Sequence, residues 1–282
     1  MCDPGLAPAA AIVRLGGAGV NGAVDDVLSS PPTDRKEGGS DYAHPAENRP
    51  VRTPNLPRSR RHSWVSTRTP LLDEPGSPKA VSQWVGKHMR ARDPFAHVFK
   101  VSEQHREGHG PGCTVYPTGS GPLLGALVAA TGAKRILEVG CGLGYSALWL
   151  ALGSSPDGSI ETIEQDTGHA ALARRHFHDE GYAERITVHE GRAAEVMSRL
   201  AVQYDFIFCD GDPDEYLVDL DHFLRLLEAG GLLLSSNLFL GQYDPDIPGL
   251  EQATTYRQRI LDDQALLTAF LPTGLALSVR RG

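Results

Sequence analysis

Ile136-Leu-Glu-Val-Gly-Cys-Gly-Leu-Gly-Tyr-Ser146 is the stretch whose reading decides the fold. A short apolar run ends in Gly140-x-Gly142-x-Gly144, and Ala147, Leu148, Trp149 and Leu150 continue in a helical pattern. The order is that of a buried strand, a glycine turn and a helix start. Glycines let the backbone turn sharply and approach a ligand closely. The unpaired N–H groups of the first helical turn then favour a polar or anionic group. Three glycines alone also suit a tight turn with no ligand. Two acids sharpen the reading. Glu138 interrupts the apolar strand, where a carboxylate gains nothing without a partner. A second strand, Ser159-Ile-Glu-Thr-Ile163, closes in Glu164, well placed to accept hydrogen bonds from ribose hydroxyls. A nucleotide-like cofactor is the ligand these features imply.

Downstream the pattern repeats. A helix is expected over 169–182, with Leu172 and Phe177 inward, then a strand over 185–190 and a glycine, Gly191. His176 and His178 fall on different faces of that helix and so make no metal pair. Asp205-Phe-Ile-Phe-Cys209 reads as a fourth strand, closed by Asp210-Gly-Asp212. Ligands of open α/β sheets bind outside the carboxyl ends of the strands, so Asp210 stands where cofactor and acceptor should meet. A helix over 214–227, Gly230-Gly231, a strand over 232–235 and Ser236-Asn237 follow. Residues 242–249 are rich in Pro and Asp and read as a lid. A helix over 251–263 leads to two strands near 266–271 and 275–280.

Upstream the chain changes in kind. Ten of the 20 prolines lie between Pro4 and Pro75, and no periodic apolar segment lasts. Residues 1–77 therefore read as a disordered, low-complexity extension, and 78–282 as the folded domain. Arg58, Arg60, Arg61 and His62 read as a solvated basic cluster in that tail. From Pro78 helical spacing returns, with Val81, Trp84, Val85 and His88, then Phe95, Val98 and Phe99. His105 and His109, in a polar, glycine-rich approach, read as solvent-exposed, with loop residues near the pocket as the alternative. Tyr116-Pro-Thr-Gly-Ser-Gly-Pro122 precedes a helix over 123–130 that Thr118 or Ser120 is suited to cap.

Residues 1–78 hold nine acids and nine bases, so the formal net charge of −8 belongs to the remainder. An acidic domain argues against binding a phosphate backbone broadly, which needs a basic face. Cys2, Cys113, Cys141 and Cys209 show neither paired metal spacing nor a disulfide framework, as expected of a cytoplasmic protein. No apolar run reaches 18 residues, so no membrane span is expected. With Asp3 and no basic start before an apolar core, neither is a signal peptide.

The ordered motifs LEVGCGLGYSALWLA, DFIFCDGDPDEY, LLEAGGLLLSSN and LLTAFLPTGLALSVRR resemble class I S-adenosylmethionine-dependent methyltransferases, specifically the catechol and caffeoyl-CoA type of O-methyltransferase. The likeness covers roughly residues 80–282. It implies a Rossmann-like α/β fold, a seven-stranded, mostly parallel sheet flanked by helices. It also implies S-adenosylmethionine as cofactor, held by Glu138, Gly140, Gly142, Gly144, Ser146, Glu164, Ala193 and Asp210. Ala193, second after Gly191, would lie beside the adenine. N-terminal helices of such enzymes wall the substrate pocket and form dimers, so a homodimer is expected.

The resembling metal-dependent enzymes hold a divalent cation with one Asp after the fourth strand and an Asp-Asn after the fifth, and use a Lys three residues beyond the first Asp as base. Here Asp210 and Asn237 remain, but Ser236 replaces the second Asp and Pro213 the Lys. No metal site is therefore expected, because hard cations rely on carboxylate oxygens. Asp210 and Asp212 are left as catalytic candidates, each also readable as structural. The expected activity is O-methylation of a small, phenolic acceptor. Two rivals stay open: a tRNA hydroxyuridine methyltransferase, and a non-catalytic cofactor-binding relative.

Overall fold

The structure, a computed structural model, describes residues 84, 87–88, 92–110, 113–117, 119–239, 249–271 and 273–282. The expected extension over 1–77, the cap at Thr118 and most of the lid over 242–249 lie outside them.

Two helices, α1 (Ala96–His109) and α2 (Gly121–Thr131), precede the alternating part of the chain. There follow β1 (Arg135–Val139), α3 (Tyr145–Gly153), β2 (Ser159–Glu164), α4 (Thr167–Asp179), β3 (Ile186–Glu190), α5 (Ala193–Arg199), β4 (Tyr204–Cys209), α6 (Tyr216–Leu226) and β5 (Leu227–Ser235). Helix α7 (Leu250–Asp262) and the strands β6 (Leu266–Phe270) and β7 (Ala276–Arg280) close the chain. The seven strands form one sheet in the order β3-β2-β1-β4-β5-β7-β6. The first five are parallel; β7 runs antiparallel to β5 and to β6. This is the expected seven-stranded Rossmann-like α/β fold.

Alternation of side chains along each strand divides the core. Ile136, Ile160, Phe206, Phe208, Leu232 and Leu234 point to one face, under α2, α3 and α4. Leu137, Val139, Ile207, Cys209 and Leu233 point to the other, under α5, α6 and α7. Strands buried on both faces read as continuous apolar runs, as parallel sheets require.

Connections over the first face carry the chain from β1 out to β3. The chain then crosses back, so β4 pairs with the other side of β1. The order reverses there, and the crevice at the carboxyl ends of β1 and β4 is the ligand position of such sheets. Backbone bonds extend the ladder past the strand ends. Gly140 N–H and Cys141 N–H donate to Ile163 O (3.1 Å each), Asp210 N–H to Val139 O (2.9 Å) and Ser236 N–H to Cys209 O (2.9 Å). The residues just beyond the strands are thereby fixed on one rim.

Several ends move from expectation. Helix α2 begins at Gly121 with Pro122 in its first turn, and Ser120 stands at the N-cap without a side-chain capping bond. Proline suits the first turn because its missing N–H would have no helical partner there. Helix α4 starts two residues early because Asp166 caps it, accepting from His169 N–H at 2.9 Å. Strand β5 starts at Leu227 and runs through Gly230-Gly231, with a register irregularity against β4 between Tyr204 and Phe206. The glycine pair thus lies inside a strand, where it accommodates a bulge.

Candidate active site

The glycine turn links β1 to α3 with Gly140, Gly142 and Gly144 all at positive φ (95°, 53° and 93°). At Gly140 a Cβ would run into the carbonyl oxygen of Asp210. Glycine is required there on two counts, conformation and space. A Cβ at Gly142 would meet nothing nearer than Val115 at 3.9 Å, which leaves open volume above the turn.

Glu138 lies beneath it, fully buried. The parallel register pairs it with Thr162, whose hydroxyl donates to Glu138 Oε2 at 2.6 Å. Burial pushes the Glu138 carboxyl up to about 8, against the pull of Ser146 and Thr162. Thr162 makes the close hydrogen bond to Oε2, and Oε1 has no partner. Ser146, in the first turn of α3, is buried beside it.

Glu164, at the carboxyl end of β2, is also buried. Its Oε2 accepts the Gly142 N–H (2.8 Å) and its Oε1 the Asp166 N–H (2.9 Å). A carboxylate offers about four acceptor sites, so two backbone donors leave capacity for a hydroxyl pair. Ala193 opens α5 and is buried, next to the turn at Gly191 (φ 136°).

On the other side of β1, Asp210 Oδ1 accepts from the Ser236 hydroxyl and from Asn237 Nδ2 (2.9 Å). Burial raises its carboxyl to about 6, against the pull of those two donors. Asn237 takes a left-handed backbone (φ 57°), which aims its amide back at Asp210. Asp212 is raised by burial and by its neighbour Asp214. Pro213 follows it, with no basic group. The structure therefore brings all the expected site residues to one rim, in two clusters. Asp244, in the loop over 242–249, lies outside the described residues.

Residues 103–267 match the model of the O-methyltransferase family. The chain belongs to that family. A protein named as an O-methyltransferase in Mycobacterium ulcerans is 32% identical over 213 residues, covering 72% of this chain and 92% of its own. One in Mycobacterium tuberculosis is 37% identical over 161 residues, or 55% of this chain and 71% of its own. Among solved structures, the O-methyltransferase of Bacillus cereus in complex with S-adenosylhomocysteine (SAH) superposes with a TM-score of 0.59 at 25% identity, over 72% of this chain and 97% of that one. TomG of Streptomyces achromogenes, an O-methyltransferase of tomaymycin synthesis solved with S-adenosylmethionine (SAM), gives 0.60 at 25%, over 71% and 98%. The protein is a SAM-dependent O-methyltransferase. The turn suits this cofactor: a buried carboxyl oxygen without a partner and open volume over Gly142 lie together at the crevice. Among the described residues no helix is long and apolar enough to cross a membrane.

Three groups at the rim escape sequence reasoning. Thr162 is neutral and lies inside a strand, so only the register reveals it as the partner of Glu138. His169 reads from the sequence as a helix residue without a role; it is buried, its Nδ1 3.8 Å from Glu164 Oε1. His105, expected in solvent, is half-buried, with its Nε2 3.2 Å from His169 Nε2. Its position follows from a tertiary contact between the end of α1 and the first turn of α4, which no local pattern records. His109 is exposed, as expected.

Proposed function

We propose that this methyltransferase alkylates a hydroxyl of a small, phenolic acceptor, and that the step needs no divalent cation on the Asp210 rim. The observation that carries this reading is the pairing of Asp210 with two neutral donors, Ser236 and Asn237. A hard cation gathers carboxylate oxygens. Asp210 Oδ1 instead already accepts two hydrogen bonds from these neutral groups.

Bound SAM supplies a methyl group activated by a positive sulfur. In the proposed assignment Glu164 holds the ribose diol, Glu138 and Ser146 face the amino-acid end, Gly140, Gly142 and Gly144 admit the backbone of the turn close to it, and Ala193 lies against the adenine. Asp210 borders both cofactor and acceptor. The chain's task is to hold the acceptor oxygen in line with the methyl carbon at contact distance and to take its proton. Asp210 and Asp212 are the proposed acceptors of that proton, in place of the lysine that Pro213 displaces. A carboxyl raised to about 6 is ionised at neutral pH and still basic enough to share a phenolic proton in the transition state.

The net charge of −8 supports a small acceptor over a nucleic acid. Cys113, Cys141 and Cys209 are buried thiols outside any disulfide, which supports a cytoplasmic setting. Residues 1–77 are proposed as an extension to a domain over 78–282.

The test is turnover of labelled SAM across a panel of phenols after exhaustive chelation. Activity retained in EDTA is the expected result. Activity that disappears and returns with Mg²⁺ would overturn metal independence.

A further inference from the structure

His105, Cys113 and His169 bring one donor atom each to within 4.8 Å of one another. They come from three segments: the last turns of α1, the stretch that follows it, and the first turn of α4. Cys113 and His169 are buried and His105 is half-buried. We propose that these three residues form a zinc site, with solvent as the fourth ligand, that fastens α1 to the cofactor end of β2.

The geometry fits a tetrahedral ion. Zinc–nitrogen bonds of about 2.0–2.1 Å at a tetrahedral angle set two imidazole nitrogens about 3.3 Å apart. His105 Nε2 and His169 Nε2 are 3.2 Å apart, with the rings steeply inclined at 78°. A thiolate within the same small sphere completes three protein ligands. Two imidazoles and a sulfur are borderline-to-soft donors, which select zinc over magnesium or calcium.

The tautomer of His169 agrees. Its Nδ1 is buried with no hydrogen-bond partner, 3.8 Å from Glu164 Oε1. A bare nitrogen lone pair there would face a carboxylate. A proton on Nδ1 is favoured instead, which turns the Nε2 lone pair toward His105 and Cys113. A carboxylate behind a metal-binding histidine is a common supporting arrangement. Glu164 is itself held by two backbone donors, Asp166 N–H on Oε1 at 2.9 Å and Gly142 N–H on Oε2 at 2.8 Å. The chain His169–Glu164–Gly142 thus runs from the proposed ion to the glycine turn, and zinc occupancy should strengthen cofactor binding.

The experiment uses the untagged full chain, stripped of metal and titrated with Co²⁺ as a spectroscopic substitute, then with Zn²⁺ in competition. Expected are one bound equivalent, the visible bands of tetrahedral cobalt and a near-ultraviolet thiolate-to-cobalt band that Zn²⁺ abolishes. Cys113→Ser should keep the far-ultraviolet circular dichroism spectrum and lose the thiolate band. His105→Gln, at a half-exposed position where misfolding is less of a risk, should weaken Zn²⁺ binding by about 10-fold or more. Excess Zn²⁺ should raise the melting temperature of the wild-type chain by about 5 °C or more, and that of Cys113→Ser far less. The proposal is overturned by no tetrahedral cobalt spectrum, by a thiolate band that persists in Cys113→Ser, or by Zn²⁺ binding unchanged in His105→Gln.

Discussion

At the carboxyl ends of β1 and β2 two buried carboxylates, Glu138 and Glu164, stand under and beside the glycine turn. At the ends of β4 and β5 the carboxylate of Asp210 meets a hydroxyl and an amide. Both halves use the same device, a polar residue just inside or just past an apolar strand. They differ in what the acids lack. Glu138 has an oxygen with no partner and Glu164 has acceptor capacity to spare, so the first half is built to be completed by a ligand with several donors. In the second half protein donors already serve the acid, which lessens its pull on a cation. On the proposed reading, cofactor binding and metal use are separable on this rim.

The largest effect expected of any change to the first half concerns Glu138. Its carboxyl is raised from 4.5 to about 8 by burial, so the native state favours the protonated form. This contribution to stability is fully present below about pH 4.5 and is lost as pH rises through about 8. Glu138→Gln keeps an acceptor for Thr162 and cannot ionise. Without cofactor, it should be more stable than wild type at pH 9 by something on the order of 4 kcal/mol, and nearly equal to it near pH 4.5. Denaturant melts at the two pH values check this; equal stability at pH 9 would mean that Glu138 is ionised and paired at no cost.

Glu164→Ala should come next. Losing a charged acceptor to a pair of hydroxyls costs about 1.5–3 kcal/mol, roughly a 10- to 150-fold weaker SAM dissociation constant by calorimetry. Unchanged affinity would remove Glu164 from the cofactor site and dissolve the contrast between the halves.

Ser236→Asp attacks the contrast from the other side, by giving the second half its missing carboxylate. Like charges beside Asp210, and the lost hydroxyl donor, should destabilise the chain by about 1–2 kcal/mol in EDTA. Mg²⁺ should then reverse the loss in the variant while leaving the wild type unmoved. A variant indifferent to Mg²⁺ would show that the rim lacks the shape for a cation as well as the charge.

The smallest effect is expected from removing residues 1–77. A chain beginning at Pro78 should melt within about 2 °C of the full chain and bind SAM equally well. Loss of either would give the extension a part in one of the two halves.

Much of this is legible in the amino-acid sequence, because it rests on rules that act over a few residues. Short apolar runs mark the strands, and a glycine triplet ahead of a helix start marks the turn. The rule that ligands bind past the carboxyl ends of parallel strands puts Glu138, Glu164 and Asp210 on one rim. The motif likeness supplies the sheet, the cofactor and the two replacements, Ser236 and Pro213, that mark the thinned half. What the sequence leaves undecided is what depends on distant parts of the chain meeting. Glu138 finds Thr162 only through the β1–β2 register. Ser236 reaches Asp210 because β5 pairs with β4 past Cys209. His105 and His169 are 64 residues apart and meet only when the end of α1 reaches the first turn of α4. Backbone preference and hydrophobic period are local, whereas the neighbours of a side chain are set by how whole layers pack, and only the tertiary structure decides that.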